Sequence, residues 1–397
     1  MTSLKTPAAR LLIINGGSSS IRFTVFESSE SLKPIFTGKI EGIGQPSGRF
    51  SVKDFVGAQD ESRTLGLRTY AVAVCTLFDW FQGKIDLAAF TAVGHRVVHG
   101  GPNYSLPTFI TPTLIKELRR VTSFDPEHLP DEILLIEELG MRFPELRQIA
   151  CFDTAFHHDL PRVAQQLPIP RRFEAQGVRR YGFHGISYAY LLQDLERVAG
   201  KKAADGRLIC AHLGNGASLA AIRRGRCLDT SMAFTPAAGL MMGTRSGDID
   251  PGLVSFLIES EGLSSGQFDE MMHHQAGLLG VSETSSDMRE LLAQEGSDVR
   301  AAEAVALFCY QVKKWIGAYA AALGGLDTLV FAGGVGENAP AIRERICAGL
   351  EFLGIQIDAK LNSKNEVLIS VAGSRVKVRV IHTDEELMIA RSLLELI

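Results

Sequence analysis

Short apolar runs alternate along this chain with longer stretches in which apolar residues recur at intervals of three and four. The first pattern belongs to a strand buried on both faces, the second to an amphipathic helix. Strands are predicted around a turn within residues 11–26, and again at 147–151, 207–213 and 328–330. The clearest helix is 303–323, where Leu307, Phe308, Val312, Trp315, Ile316 and Tyr319 form an apolar stripe read as core, with Lys313 and Lys314 off it. Such alternation predicts an α/β protein whose sheets are covered by helices and whose strand ends open onto a crevice. No low-complexity linker interrupts it. A boundary is expected near 154–166, where the strand ending in Cys151 and Phe152 gives way to polar, proline-punctuated chain.

Three apolar runs end in glycine- and hydroxyl-rich turns: INGGSSSIRF at 14–23, AHLGNGAS at 211–218 and FAGGVGENAP at 331–340. Glycine removes the side chain that would keep a backbone N–H away from a phosphate, and a following helix start adds its positive dipole end. Such turns at wide intervals predict a nucleotide's phosphates gripped between two domains. The first two share one layout of strand, Asn-Gly turn and second strand (20–26 and 217–222), which implies a domain duplication. A P-loop is excluded, because Gly38-Lys39, Gly83-Lys84 and Gly200-Lys201 lack the following Ser or Thr. Dinucleotide binding is disfavoured, since no turn has the tight three-glycine spacing that opens an unbroken helix.

With 397 residues, of which 46% are hydrophobic and 22% charged, the chain can bury a core large enough for about two domains. Its net charge of −4 offers no basic footprint, so no nucleic-acid partner is expected. The start, MTSLKTPAAR, does not resemble an export signal, and uncharged stretches such as 315–326 are too short to span a bilayer, so a cytoplasmic protein away from membranes is expected. The six cysteines lack metal or redox spacing and read as buried, reduced thiols.

Candidate chemistry clusters beside further glycines. Arg96 stands in HRVVHGG and Arg245 in GLMMGTRSGDIDPG, settings in which a guanidinium can fork onto phosphoryl or carboxylate oxygens. His184, in YGFHGIS, is placed to donate from a turn into a pocket or to sit satisfied in the core. Asp153, in FDTAFH, follows a strand where α/β crevices open, or caps the next helix.

With these residues the chain resembles the acetate kinase family, within the superfamily of acetate and sugar kinases, heat-shock chaperones and actin. NGGSSSIRF, HRVVHGG, FDTAFH, YGFHGIS, HLGNGAS, MMGTRSGDIDPG, AGGVGEN and TDEELMIAR match its motifs in order from residue 15 to 391. The resemblance implies an α/β fold of two duplicated ribonuclease-H-like (actin-like ATPase) domains with a nucleotide cleft between them. It implies an N-terminal, acetate-side domain of 1–153 completed by a C-terminal helix at 385–397, and a nucleotide-binding domain of 154–384. The implied reaction is reversible transfer from ATP to acetate, giving ADP and acetyl phosphate, with Mg2+ or Mn2+ and in a homodimer. Asn15 and Glu385 would organise the metal and Arg22 would reach nucleotide phosphate. Arg96 would bind the acetate carboxylate, and Val98, Phe183 and Pro236 would enclose its methyl group. His212, Leu213, Gly214, Asn215 and Gly216, then Asp287, Met288 and Arg289, then Gly334, Val335, Gly336, Glu337 and Asn338, would line the nucleotide. Asp153, Arg245, His184 and Arg96 would be catalytic.

Acetate is already ionised at neutral pH, so its oxygen can attack phosphorus without a general base. Asp153 is therefore expected to position the metal or a ligating water. Charge in the transition state spreads over equatorial oxygens, a need that Arg245, Arg96 and His184 fit. The chain also departs from the family's pattern: Arg22 replaces a lysine, Asp384 an asparagine, and DPEHLP (125–130) puts Glu127 where a leucine helps form the acetyl pocket. Glu127 is expected to turn outward. The rival readings are a propionate or butyrate kinase and, from another class, an ATP-driven clamp of the chaperone or actin type.

Overall fold

Strand, glycine turn and antiparallel strand is the fold of each of the first two glycine-rich segments. The computed structural model describes residues 9–17, 19–28, 31–45, 47–57, 60–84 and 89–397. The start of the chain, from which no export signal was expected, lies mostly outside them, as does Ser18 of the first turn. The chain divides into two units, Met1–Ala155 with Asp384–Ile397, and Phe156–Thr383.

In the first unit β1 (Arg10–Gly17) pairs antiparallel with β2 (Ser20–Glu27), and β2 with β3 (Pro34–Glu41). On the other side of β1, β6 (Phe90–Val97) runs parallel to it, and β8 (Gln148–Phe152) runs parallel to β6. β4 (Gly48–Asp54), β5 (Glu61–Leu65) and β7 (Thr108–Phe109) extend this sheet at its edges. In the second unit β9 (Arg207–Leu213), β10 (Ala217–Arg223) and β11 (Arg226–Thr230) form the antiparallel part. There β12 (Thr328–Ala332) runs parallel to β9 and β13 (Lys377–Val380) parallel to β12. The orders β3-β2-β1-β6-β8 and β11-β10-β9-β12-β13 are thus one topology used twice. This is the duplicated ribonuclease-H-like arrangement.

Central strands read as unbroken apolar runs because both faces are covered: Leu11 to Ile14 of β1 and all of β12 are buried. In the first unit Phe23, Phe50, Phe78, Trp80 and Phe81 pack between the sheet and the helix Tyr70–Lys84. In the second, the helix Val299–Leu323 buries Val305, Phe308, Val312, Ile316 and Tyr319. This helix starts ahead of the expected 303, because Asp298 caps it by accepting the Arg300 amide at 2.9 Å. Leu307 is not core as expected. It is 38% exposed, on the outer face with Glu303 and Tyr310, while Trp315 is half-buried. The cysteines are all free, and burial pushes the thiols of Cys151, Cys210 and Cys347 up to about 12. Among the described residues no helix is long and apolar enough to cross a membrane.

Candidate active site

Adjacent parallel strands end side by side, and that brings the polar residues of the first unit together. The registers Ile14 with His95 and Arg96 with Cys151 place Asn15, Arg96 and Asp153 at neighbouring strand ends, where crevices form in open sheets. Arg96 donates through Nε to Asp153 Oδ1 at 3.1 Å and through Nη2 to Oδ2 at 2.5 Å. Its Nη1 donates to Asn15 Oδ1 at 3.3 Å, and Asn15 Nδ2 donates to Glu385 Oε2 at 3.3 Å. The result is a chain of carboxylate, guanidinium, amide and carboxylate. Burial opposes the charge on Arg96, but Asp153 and Glu385 outweigh it and hold the guanidinium above its ordinary pKa. Each Nη carries a second hydrogen beyond these bonds, so the fork can still receive another carboxylate. Asp153 is fully buried, and both its oxygens accept from Arg96. Arg22 faces Asn15 across β1 and β2 and is exposed.

The helix Glu385–Leu396 begins at this chain of side chains. Asp384 is its N-cap, accepting the Leu387 amide at 2.8 Å, which gives that departure a structural role. Asp384→Ala should lower stability by about 1 kcal/mol, read as a reduced midpoint in thermal unfolding; an unchanged midpoint would show the cap to be idle.

Beyond β6 the chain leaves the sheet, and Val98 N–H donates to both Glu132 oxygens, at 3.2 and 3.0 Å. Glu132 stands on the helix Leu129–Arg142 and is 3% exposed. Burial raises its pKa well above the ordinary carboxylate value, although Arg96 and the Val98 amide work the other way. Glu127 is half-buried. The fully buried acids of this segment are instead Asp125, paired with His128 Nδ1 at 2.9 Å, and Glu132. Neither stood out in the sequence reading. The available signal was an acid at position 132 on the same helix face as Leu129 and Ile136.

In the second unit His212, next to last in β9, stacks on His184, with ring centroids 4.3 Å apart. His184 Nδ1 lies 2.9 Å from Ser218 Oγ, which also meets the Tyr188 hydroxyl at 2.5 Å. His184 has φ 57°, a left-handed conformation uncommon outside glycine. His212 Nδ1 meets Ser187 Oγ at 2.8 Å.

The loop bearing Arg245 closes on itself through Met242 N–H to Arg245 O at 2.9 Å, and hangs on the second glycine turn through Gly243 N–H to Asn215 O at 2.9 Å. Gly247 sits at φ 73°, where a Cβ would stand 2.5 Å from the Leu240 backbone, so a larger residue cannot close this loop. Arg245 Nη1 donates to the Pro236 carbonyl at 3.0 Å. Phe183 is buried, and its carbonyl lies 2.9 Å from His157 Nε2. Phe183 and Pro236 belong to the second unit and Val98 to the first.

A cavity of ≈ 520 Å³, of small-ligand size, opens between the second and third glycine turns. Gly214, Asn215, Asp287, Met288, Arg289, Gly334, Val335 and Asn338 line it. His212, Leu213, Gly216, Gly336 and Glu337 are not among its lining residues. Leu213 is fully buried, and Glu337 turns inward: Oε1 accepts Gly333 N–H at 2.8 Å and Thr383 N–H at 3.1 Å, and Oε2 meets His382 Nδ1 at 2.5 Å. Arg343 donates to the carbonyls of Gly336 and Glu337 at 2.8 and 2.9 Å, bracing the same turn. Leu278, Leu292 and Phe308 give the cavity an apolar wall that the sequence reading missed. Phe308 was read only as core, because apolar periodicity does not separate a core face from a pocket wall.

The family model described as the acetokinase family matches residues 10–391. An acetate kinase of Rhodopseudomonas palustris (strain TIE-1) is 44% identical over 387 residues, covering 96% of each chain. Among solved structures, acetate kinase of Porphyromonas gingivalis is 37% identical with a TM-score of 0.87, over 98% of this chain and 99% of that one. A propionate kinase from Francisella tularensis is 35% identical with a TM-score of 0.90, over 97% of this chain and 98% of that one.

Proposed function

The chain belongs to the acetokinase family, and on that footing we infer that it reversibly transfers the γ-phosphoryl group of ATP to acetate, giving ADP and acetyl phosphate. The observation that carries this reading is Arg96, held by Asp153 and Asn15 with N–H groups left over for an incoming carboxylate. An acetate oxygen attacks the γ-phosphorus in line as the bond to the β,γ-bridging oxygen breaks, and no proton is removed from the acceptor. Asp153 acts through Arg96: it fixes the guanidinium plane. In the first unit Val98 contacts the methyl group. The ≈ 520 Å³ cavity takes the nucleotide, and Arg245 and His184 supply donors to the phosphoryl oxygens in the transition state. Arg22 serves the nucleotide's phosphates.

Magnesium, or manganese in its place, fits the residues present. Glu385 offers a carboxylate, and Asn15 an amide oxygen that accepts from Arg96 Nη1 at 3.3 Å and would turn to reach the metal. Such a sparse donor set suits a cation that keeps most of its waters and takes phosphate oxygens as ligands. Bound there, the metal would neutralise charge on the transferring phosphate. Within this reading residues 1–153 with 385–397 serve acetate and 154–384 serve the nucleotide, in a cytoplasmic homodimer.

The purified protein should release ADP from Mg-ATP and form hydroxamate with hydroxylamine only when acetate is present, and less effectively with propionate or butyrate. The likeness to a propionate kinase makes that acid the serious alternative, and its preference over acetate would reassign the substrate. ADP release that ignores the acceptor would sink the kinase reading in favour of an ATPase clamp.

A further inference from the structure

Past β6 the polypeptide has lost its ladder partner, and side chains hold its amides. Glu132 takes Val98 N–H with both oxygens, Thr154 Oγ takes Gly100 N–H at 3.3 Å, and His99 Nδ1 takes Gly101 N–H at 2.8 Å. Of these holders only Glu132 stands on a long helix, Leu129–Arg142, whose Leu135 and Leu139 belong to the first unit's core. Its position is therefore set by packed structure, and it passes that rigidity to Val98. Stability does not explain an acid here. An acid buried against one neutral amide, with Asp125 and Asp153 repelling its charged form and only Arg96 attracting it, costs more than a neutral acceptor in the same place.

We propose that Glu132 is a positioning residue that sets the size of the acceptor: by pinning the Val98 amide it holds the wall beside Arg96 at a depth that admits acetate and turns away propionate. The proposal rests on the reading above in which Val98 contacts the methyl group. One methylene in an apolar pocket changes discrimination by about tenfold or more, so a small retreat of this wall is enough to alter the preferred acid.

The test compares wild type, Glu132→Leu, Glu132→Ala and Glu132→Gln in the hydroxamate assay with acetate and with propionate. Glu132→Leu fills the buried space and removes the buried acid but leaves the Val98 amide without its acceptor, so its unfolding temperature is measured alongside to show that it folds. It should lower the acetate-to-propionate ratio of kcat/KM by about tenfold, mainly through a higher KM for acetate. Glu132→Ala should lower the ratio likewise, and stands in if the leucine variant does not fold. Glu132→Gln keeps an acceptor for the Val98 amide and should restore the ratio. An unchanged ratio in a folded leucine or alanine variant overturns the proposal, as does a glutamine variant no better than leucine. Loss of acceptor dependence in the wild type would instead overturn the kinase reading itself.

Discussion

Arg96→Ala is expected to remove acetate-dependent turnover almost entirely, by a factor of about 100 to 1,000 or more, and to weaken the fold. Two consequences have separate causes. Turnover falls because the guanidinium is the proposed carboxylate receptor. Stability falls because Asp153, fully buried and bonded to Arg96 through both oxygens, would lose both of those charge-assisted bonds. Breaking a buried pair from one side costs about 3–5 kcal/mol. Adding Asp153→Asn to the alanine variant should recover most of the lost stability, since no stranded carboxylate then remains, while turnover stays lost. Denaturant unfolding and the hydroxamate assay on the single and double variants separate the two effects. Return of activity in the double variant would mean that Arg96 only supports the fold.

Arg245→Ala should lower kcat and kcat/KM together by about 100- to 1,000-fold, the loss associated with one fixed donor to transition-state charge. The nucleotide's own affinity should change far less, because Arg245 is not among the residues lining the ≈ 520 Å³ cavity. Lysine should rescue poorly. Its ammonium lacks the planar fork with which Arg245 can hold the Pro236 carbonyl and still present donors elsewhere. Nucleotide binding by calorimetry alongside steady-state rates tests this, and a variant that fails chiefly in nucleotide binding would move Arg245 out of the catalytic role.

Local pattern carried much of this protein's architecture. Strands at 207–213 and around the first turn, and the long helix of the second unit, follow from burial on both faces or on one stripe, which depends only on which residues are apolar and how far apart they stand. The order of glycine-, arginine- and histidine-bearing motifs was equally local, and it was enough to bring out the family resemblance. Contacts between distant segments were not. Asn15, Arg96, Asp153 and Glu385 join in one hydrogen-bonded chain because parallel strands from separate parts of the sequence end side by side, and Glu385 enters it from a helix 370 residues beyond Asn15. Glu337, which motif matching assigned to the nucleotide, turns inward because its oxygens satisfy Gly333 and Thr383 amides that would otherwise lack acceptors. Glu132 shows the same limit from the other side: its sequence setting is that of an ordinary helical acid, and only the fold presents to it the amide of Val98. Periodicity and turn chemistry act over a few residues and are written in the chain, whereas pairing, burial of charge and the direction of a side chain depend on which distant backbone stands opposite, and folding alone settles that.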